Sequence, residues 1–211
     1  MYKLYTRPGS GGFVIEAALK LAGVAFEQID VPKMPQPDPE FLRISPMNQV
    51  PVLVLPGGHA VPETVAISLL LAELHPGKGL GPVAGEPGRA DFLRWMAFMA
   101  TAIYMANLRY YYPHRSTTDA AGIAAVKQAA VVEMDKEISI LDSALTGRDW
   151  LVSDSGTIAD IYMLMLVCWY PDMDKARRAW PNVERVCARL RVDPMLTVLN
   201  GRHEMWPSRS A

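Results

Sequence analysis

Residues 76–88, PGKGLGPVAGEPG, hold five glycines and three prolines, a composition that sustains neither a helical nor a strand period. The two sides of this segment read differently. Ahead of it lie short alternating or β-branched runs mixed with helical ones; beyond it the pattern is helical throughout. The chain reads as two domains, 1–75 and 89–211, joined by a linker over 76–88.

Within the first part, MYKLY alternates apolar and polar residues and stops at Pro8-Gly9, which predicts a strand ending in a turn. From Phe13 to Ala22 apolar side chains cover most of a helix and leave Glu16 and Lys20 as an i,i+4 pair on one wet side. AFEQIDV predicts a second strand. A proline-rich stretch follows, with one helical turn near 40–44, and then QVPVLVLPGG, whose continuous apolar run suits a strand covered on both faces. HAVPE supplies a last short strand and TVAISLLLAEL a helix with Thr64 as its N-cap. The second part predicts helices over roughly 89–112, 119–146, 157–170, 182–191 and 194–202, punctuated by Pro113, Gly147, Pro171, Pro181 and Pro194.

Composition narrows the function classes. With 20% charged residues and a net charge of −1, the chain has no electrostatic footprint for nucleic acid or an anionic membrane. Its most apolar run, 161–169, is about half a membrane span. Cys168 and Cys187 have neither CxxC spacing nor a histidine cluster, so no metal site is indicated and a reducing, cytoplasmic setting suits them. A small-molecule or protein partner is the remaining expectation.

Four stretches then carry a resemblance: PGSGG at 8–12, NQVPVL at 48–53, PETVAI at 62–67 and TIADIYM at 157–163. In this order, with a βαβ-ββα unit before the linker and helices after it, they resemble the cytosolic glutathione transferases of the serine type, bacterial-like. The resemblance spans nearly the whole chain. It implies a thioredoxin-like α/β N-terminal domain that binds glutathione, followed by an all-α helical bundle domain.

For NQVPVL the resemblance implies a cis Val50–Pro51 bond, with Val50 and Pro51 presenting backbone groups to the cysteinyl part of glutathione and Gln49 beside them. The residues alone favour a trans proline opening an edge strand. Glutathione's γ-glutamyl end carries an ammonium and a carboxylate. Glu63 suits the first, and Thr64 with the free amides of a helix start suits the second; without the family frame the pair is an ordinary helix cap. Thr157 and Asp160 read as a capping box with a structural role. Gly156 stands where a hydrophobic staple is often found.

Ser10 is the implied activator of the thiol, with Tyr5 as the alternative, although Ser10 by itself is also a plain helix cap. Moving a thiol pKa from about 8.5 to near 6.5 takes roughly 2.7 kcal/mol, within reach of one hydroxyl donating to a charged acceptor plus a helix N-terminus. The glycines at 11 and 12 depart from many serine-type members and leave the class open. No cysteine lies in the first domain, which disfavours mixed-disulfide chemistry.

The electrophile is implied to lie between the first turn and the first long helix of the second domain. There Tyr104, Asn107, Leu108 and Tyr111 share one helical face at i, i+3, i+4 and i+7; packing is the competing role for each. Met205 and Trp206 are placed either to fold over that cleft or to fray. The implied activity is attack of the glutathione thiolate on a hydrophobic electrophile, a detoxification-type transfer by a homodimer. Glutathione-dependent isomerisation, dehalogenation or ether cleavage, or a binding module without turnover, are the alternatives.

Overall fold

The computed structural model describes residues 1–34, 36 and 38–207. Strand β1 (Tyr2–Thr6) leads through the first turn into helix α1 (Gly12–Ala22), and β2 (Phe26–Asp30) returns parallel to β1. After α2 (Pro39–Ile44), β3 (Val52–Val54) and β4 (Ala60–Pro62) form an antiparallel pair, and α3 (Thr64–Leu74) closes the unit. The sheet order is β2-β1-β3-β4. This is the mixed four-stranded sheet expected of the thioredoxin-like domain, and the near-continuous apolar run of β3 is explained by its central place, with Val52 and Leu53 fully buried.

Alternation along β1 assigns the two faces of the sheet. Leu4 and its cross-strand partner Leu53 are fully buried, on the side where α1 and α3 pack together. Tyr5 points the other way and rests on Phe41 of α2, ring centroids 5.9 Å apart.

The helical part comprises α4 (Arg89–Phe98), a π-helical segment (Met99–Ile103), α5 (Tyr104–Tyr111), α6 (Ile123–Ala144), α7 (Ile158–Cys168), α8 (Met173–Ala179), α9 (Pro181–Arg191) and α10 (Pro194–His203). Helix α8 is absent from the sequence reading. Its seven residues are too few to display a period. The predicted helix over 89–112 is broken by the π-helical segment, and α7 is the buried central helix, with ten of its residues inside.

The chain divides into two compact units, Ala90–Arg191 and a first unit in which Met1–Arg89 is joined by the segment from Val192 onward. The segment from Val192 onward thus groups with the first compact unit, while the sequence places it in 89–211. Helix α10 packs on α1, because the supposedly wet Glu16 is only 5% exposed and finds its partners on α10. The i,i+4 pair with Lys20 gives way to that burial.

Candidate active site

Strand register brings three of the sequence stretches to one end of the sheet. Tyr5 pairs with Val52 and Val52 with Pro62. The turn after β1, the residues before β3 and those after β4 are consequently neighbours at the shared end of three adjacent strands. The first turn, Val50–Pro51 and Glu63–Thr64 all sit there.

The first turn is built around two tight constraints. Gly9 has φ +68°, a region that suits glycine. At Gly12 a Cβ would stand 1.7 Å from Thr6 Oγ1, so only glycine lets α1 begin directly against the end of β1. The need for glycine at position 12 thus comes from the protein's own packing. Half-buried Ser10 donates its hydroxyl to the Arg7 carbonyl at 2.6 Å and accepts from the Gly12 amide at 3.2 Å. Tyr5, the alternative, lies on the α2 side of the sheet. It lines a cavity of about 460 Å³ with Ile29, Phe41, Arg43 and Asn48, on the face opposite α1.

The Val50–Pro51 bond is cis. The loop before it is held by Ser45, which sequence reasoning missed. This buried hydroxyl donates to the Gln49 carbonyl at 2.7 Å and accepts from the Gln49 amide at 3.0 Å. Its only signal was the Ser-Pro step at 45–46. Gln49 is fixed by its backbone while its side chain faces solvent.

At the head of α3 the N-cap is Glu63, in place of Thr64 as predicted, and no side-chain cap bond is made there. Glu63 holds φ +75° and ψ 112° and is exposed, whereas Thr64 is the first helical residue and is buried. A non-glycine residue at positive φ costs of order 1–3 kcal/mol and persists where something else requires it. The geometry turns a carboxylate outward beside the uncapped amides of a helix start.

In the helical unit the predicted capping box is present. Asp160 Oδ2 accepts from the Thr157 amide at 2.8 Å and from its hydroxyl at 3.1 Å; Oδ1 accepts from the Leu151 amide at 2.8 Å. Burial raises the Asp160 carboxyl pKa, and the hydrogen bonds from Thr157 and Leu151 offset only part of that rise. Gly156 lies against Trp150, where a Cβ would come within 3.1 Å of the ring.

The predicted electrophile wall does not hold together on α5. Asn107 is 1% exposed and donates to the Ile103 and Leu166 carbonyls, which makes it a polar pin in the core of the helical unit and no handle for a ligand. Tyr111 donates to the Trp169 carbonyl at 2.7 Å, and Tyr104 packs edge-on to Trp169 at 5.4 Å. Leu108 is half-buried. Met205 and Trp206 do not fray; both are buried. Trp206 is gripped at both its amide and carbonyl by the Asn200 side chain and packs edge-on to Phe13 at 5.9 Å.

Comparison with known proteins decides the family. The family model described as glutathione S-transferase, N-terminal domain, matches residues 14–74, and that of the C-terminal domain matches 95–194. The chain belongs to the glutathione transferase superfamily. Among curated relatives, glutathione S-transferase GST-4.5 of Xanthomonas campestris pv. campestris is 28% identical, over 79% of this chain and 81% of its own length. The uncharacterized GST-like protein YncG of Escherichia coli K12 is 27% identical over 97% of this chain and all of its own length. The structure of a sphingomonad glutathione S-transferase complexed with glutathione superposes with a TM-score of 0.82 at 24% identity, covering 97% of this chain and 100% of that one.

Among the described residues no helix is long and apolar enough to cross a membrane, and no group of three histidine, cysteine or acidic side chains could hold a metal. Burial raises both thiol pKa values, that of Cys168 to about 12. The two thiols are therefore protonated at neutral pH and take no part in thiolate chemistry.

Proposed function

We propose that this transferase binds glutathione at the shared end of β1, β3 and β4 and activates its thiol at the first turn. The chain is a glutathione transferase with glutathione as co-substrate. Glu63 pairs with the γ-glutamyl ammonium, and the uncapped start of α3 with the Thr64 hydroxyl takes the carboxylate. The backbone at Val50, with Pro51 and Gln49 beside it, meets the cysteinyl part, which brings the sulfur to the start of α1. There Ser10 donates to the sulfur. The thiol proton leaves to solvent, the thiolate forms a bond to the electrophilic carbon, and the leaving group departs with its electron pair. Assembly as a homodimer, a cytoplasmic setting and a detoxifying role complete the proposal; gel filtration tests the first, cell fractionation the second and substrate profiling the third.

The observation that carries this reading is Glu63. An exposed carboxylate in a costly backbone conformation, heading a helix that no side chain caps, is hard to account for by folding needs. It fits a zwitterionic ligand group.

One detail favours a second reading. The Ser10 hydroxyl is already committed to the Arg7 carbonyl, so activation requires it to rotate toward the sulfur while keeping the Gly12 amide as donor, a bond that polarises the hydroxyl. Without that rotation the chain binds glutathione and does not turn it over. Thiolate absorbance of bound glutathione in wild type and Ser10→Ala separates the two. Activation gives a band that the substitution removes, with affinity changed less than about threefold. Binding with no band in wild type selects the binding module, and a band unchanged in Ser10→Ala excludes Ser10 as activator.

A further inference from the structure

Behind the first turn, and wholly inside the first unit, lies a charged cluster that the proposed reaction does not use. Glu16, on the second turn of α1, has a side chain 7% exposed. Its Oε2 is 3.0 Å from Nε2 of fully buried His203 and 3.3 Å from Nη1 of Arg202. Arg202 also pairs with Asp30 at the end of β2. Gln28 closes the set: oriented by its neighbours' hydrogen-bonding needs, its amide nitrogen is 3.2 Å from both Glu16 oxygens and its oxygen 2.7 Å from Arg202 Nε.

The same segment touches the turn directly. The His203 carbonyl lies 3.7 Å from where a Gly9 Cβ would be. The His203 and Phe13 rings meet edge-on at 5.4 Å, and Asn200 holds Trp206 against Phe13. Glu204, in a left-handed conformation (φ +50°), ends α10 and redirects the chain. Gly9, Phe13 and Glu16, from the first turn and the first two turns of α1, are thus clasped by one C-terminal element.

A buried carboxylate near a helix start weakens the positive field that such a start offers an anion. Glu16 follows Gly12 by four residues, about 6 Å along the axis, and the surroundings screen it little. The charged and titratable groups on it are Arg202 and His203 from α10, and Asp30 from β2 bears on Arg202.

Resting on the reading of the first turn as the thiol-activating element, we infer that Glu16, Arg202 and His203 are positioning residues. The clasp fixes the first turn, and Arg202 offsets the Glu16 charge that would otherwise oppose a thiolate there. A purely structural clasp and this electrostatic one differ in sign. If the ion pair only holds α10 in place, removing either partner loosens the turn and raises the pKa of bound glutathione in both variants. If Arg202 offsets Glu16, Arg202→Gln raises that pKa, Glu16→Gln lowers it, and the double variant returns toward wild type.

The experiment is a pH titration of thiolate absorbance with saturating glutathione on the full-length protein, in wild type, Glu16→Gln, Arg202→Gln, the double variant and Arg202→Lys. The expected shifts are about half a unit in opposite directions, the size Coulomb's law gives for one charge roughly 10 Å away in a mixed protein and water medium. Arg202→Lys keeps the charge and stays near wild type. Shifts of the same sign in the two single variants, or none in Arg202→Gln, overturn the inference. Should Arg202→Gln not fold, the nearly isosteric Glu16→Gln decides alone, any rise counting against it. Absence of a thiolate band in wild type overturns the activation reading and this inference with it; a wild-type band with same-sign shifts overturns only the positioning role.

Discussion

Three helices of this protein begin in contrasting ways. At α7, in the helical unit, Thr157 and Asp160 take up backbone amides of the helix start and its approach, and Asp160 is fully buried. At α3, in the first unit, Glu63 occupies the cap position without capping and points outward at positive φ. Helix α1 lies between these extremes, with one half-buried serine accepting from the Gly12 amide. An element end closed by its own side chains has no hydrogen-bonding capacity left for a ligand. One left open where water or an anion can reach it does. On the proposed function, the capping state distinguishes an end that serves folding, at α7, from one that serves binding, at α3.

The largest effect that could break this contrast is at α7. Asp160→Ala removes the acceptor for the Leu151 and Thr157 amides and leaves both buried. The expected loss is about 3–5 kcal/mol of stability in the helical unit, read by urea denaturation. Glutathione affinity of the protein that remains folded should be unchanged. A loss below about 1 kcal/mol would mean that water replaces the carboxylate, and α7 would then not be a closed end.

Glu63→Gly tests the opposite end. Glycine accepts φ +75° without a steric cost, so stability is expected to hold or rise by about 1 kcal/mol. Glutathione affinity should fall about tenfold to a hundredfold, the loss of one charge-assisted interaction. Calorimetric titration beside a thermal melt reads both. Unchanged affinity would remove Glu63 from the site, and a marked fall in stability would make its conformation a folding feature after all.

The sequence discloses these ends unequally. The Thr157–Asp160 box is local: its residues are three apart and its bonds stay within one turn and the segment before it, so a short motif records it. The strands themselves follow from local signals, but the meeting of 8–12, 50–51 and 63–64 is implied only by the family resemblance and is built by the register of Tyr5, Val52 and Pro62 across three of the four strands. Glu16 was misread for a physical reason. A polar residue four positions from a lysine on an apolar helix looks like a wet stripe whether it meets water or a buried partner, and its partners lie 186 and 187 residues away. Asn107 was misread in the same manner. Its spacing with Tyr104 and Tyr111 reports a shared helix face and is silent about whether that face meets a ligand or the Leu166 carbonyl.

The smallest expected effect is at α1, and it tests whether that end is intermediate. Ser10→Ala removes one bond to the Gly12 amide and one to the Arg7 carbonyl, both in a turn that solvent partly reaches. Water can take up the freed groups, and the Phe13 amide keeps its own 3.1 Å bond to the Ser10 carbonyl. The stability cost should be about 0.5–1 kcal/mol, well below that of Asp160→Ala. For a chain with two compact units that corresponds to a shift of only a few degrees in the first unit's melting. A cost as large as that of Asp160→Ala would place Ser10 with the closed ends, and its hydroxyl would then be a structural cap that glutathione does not recruit. A small cost leaves the hydroxyl free to exchange the Arg7 carbonyl for a sulfur.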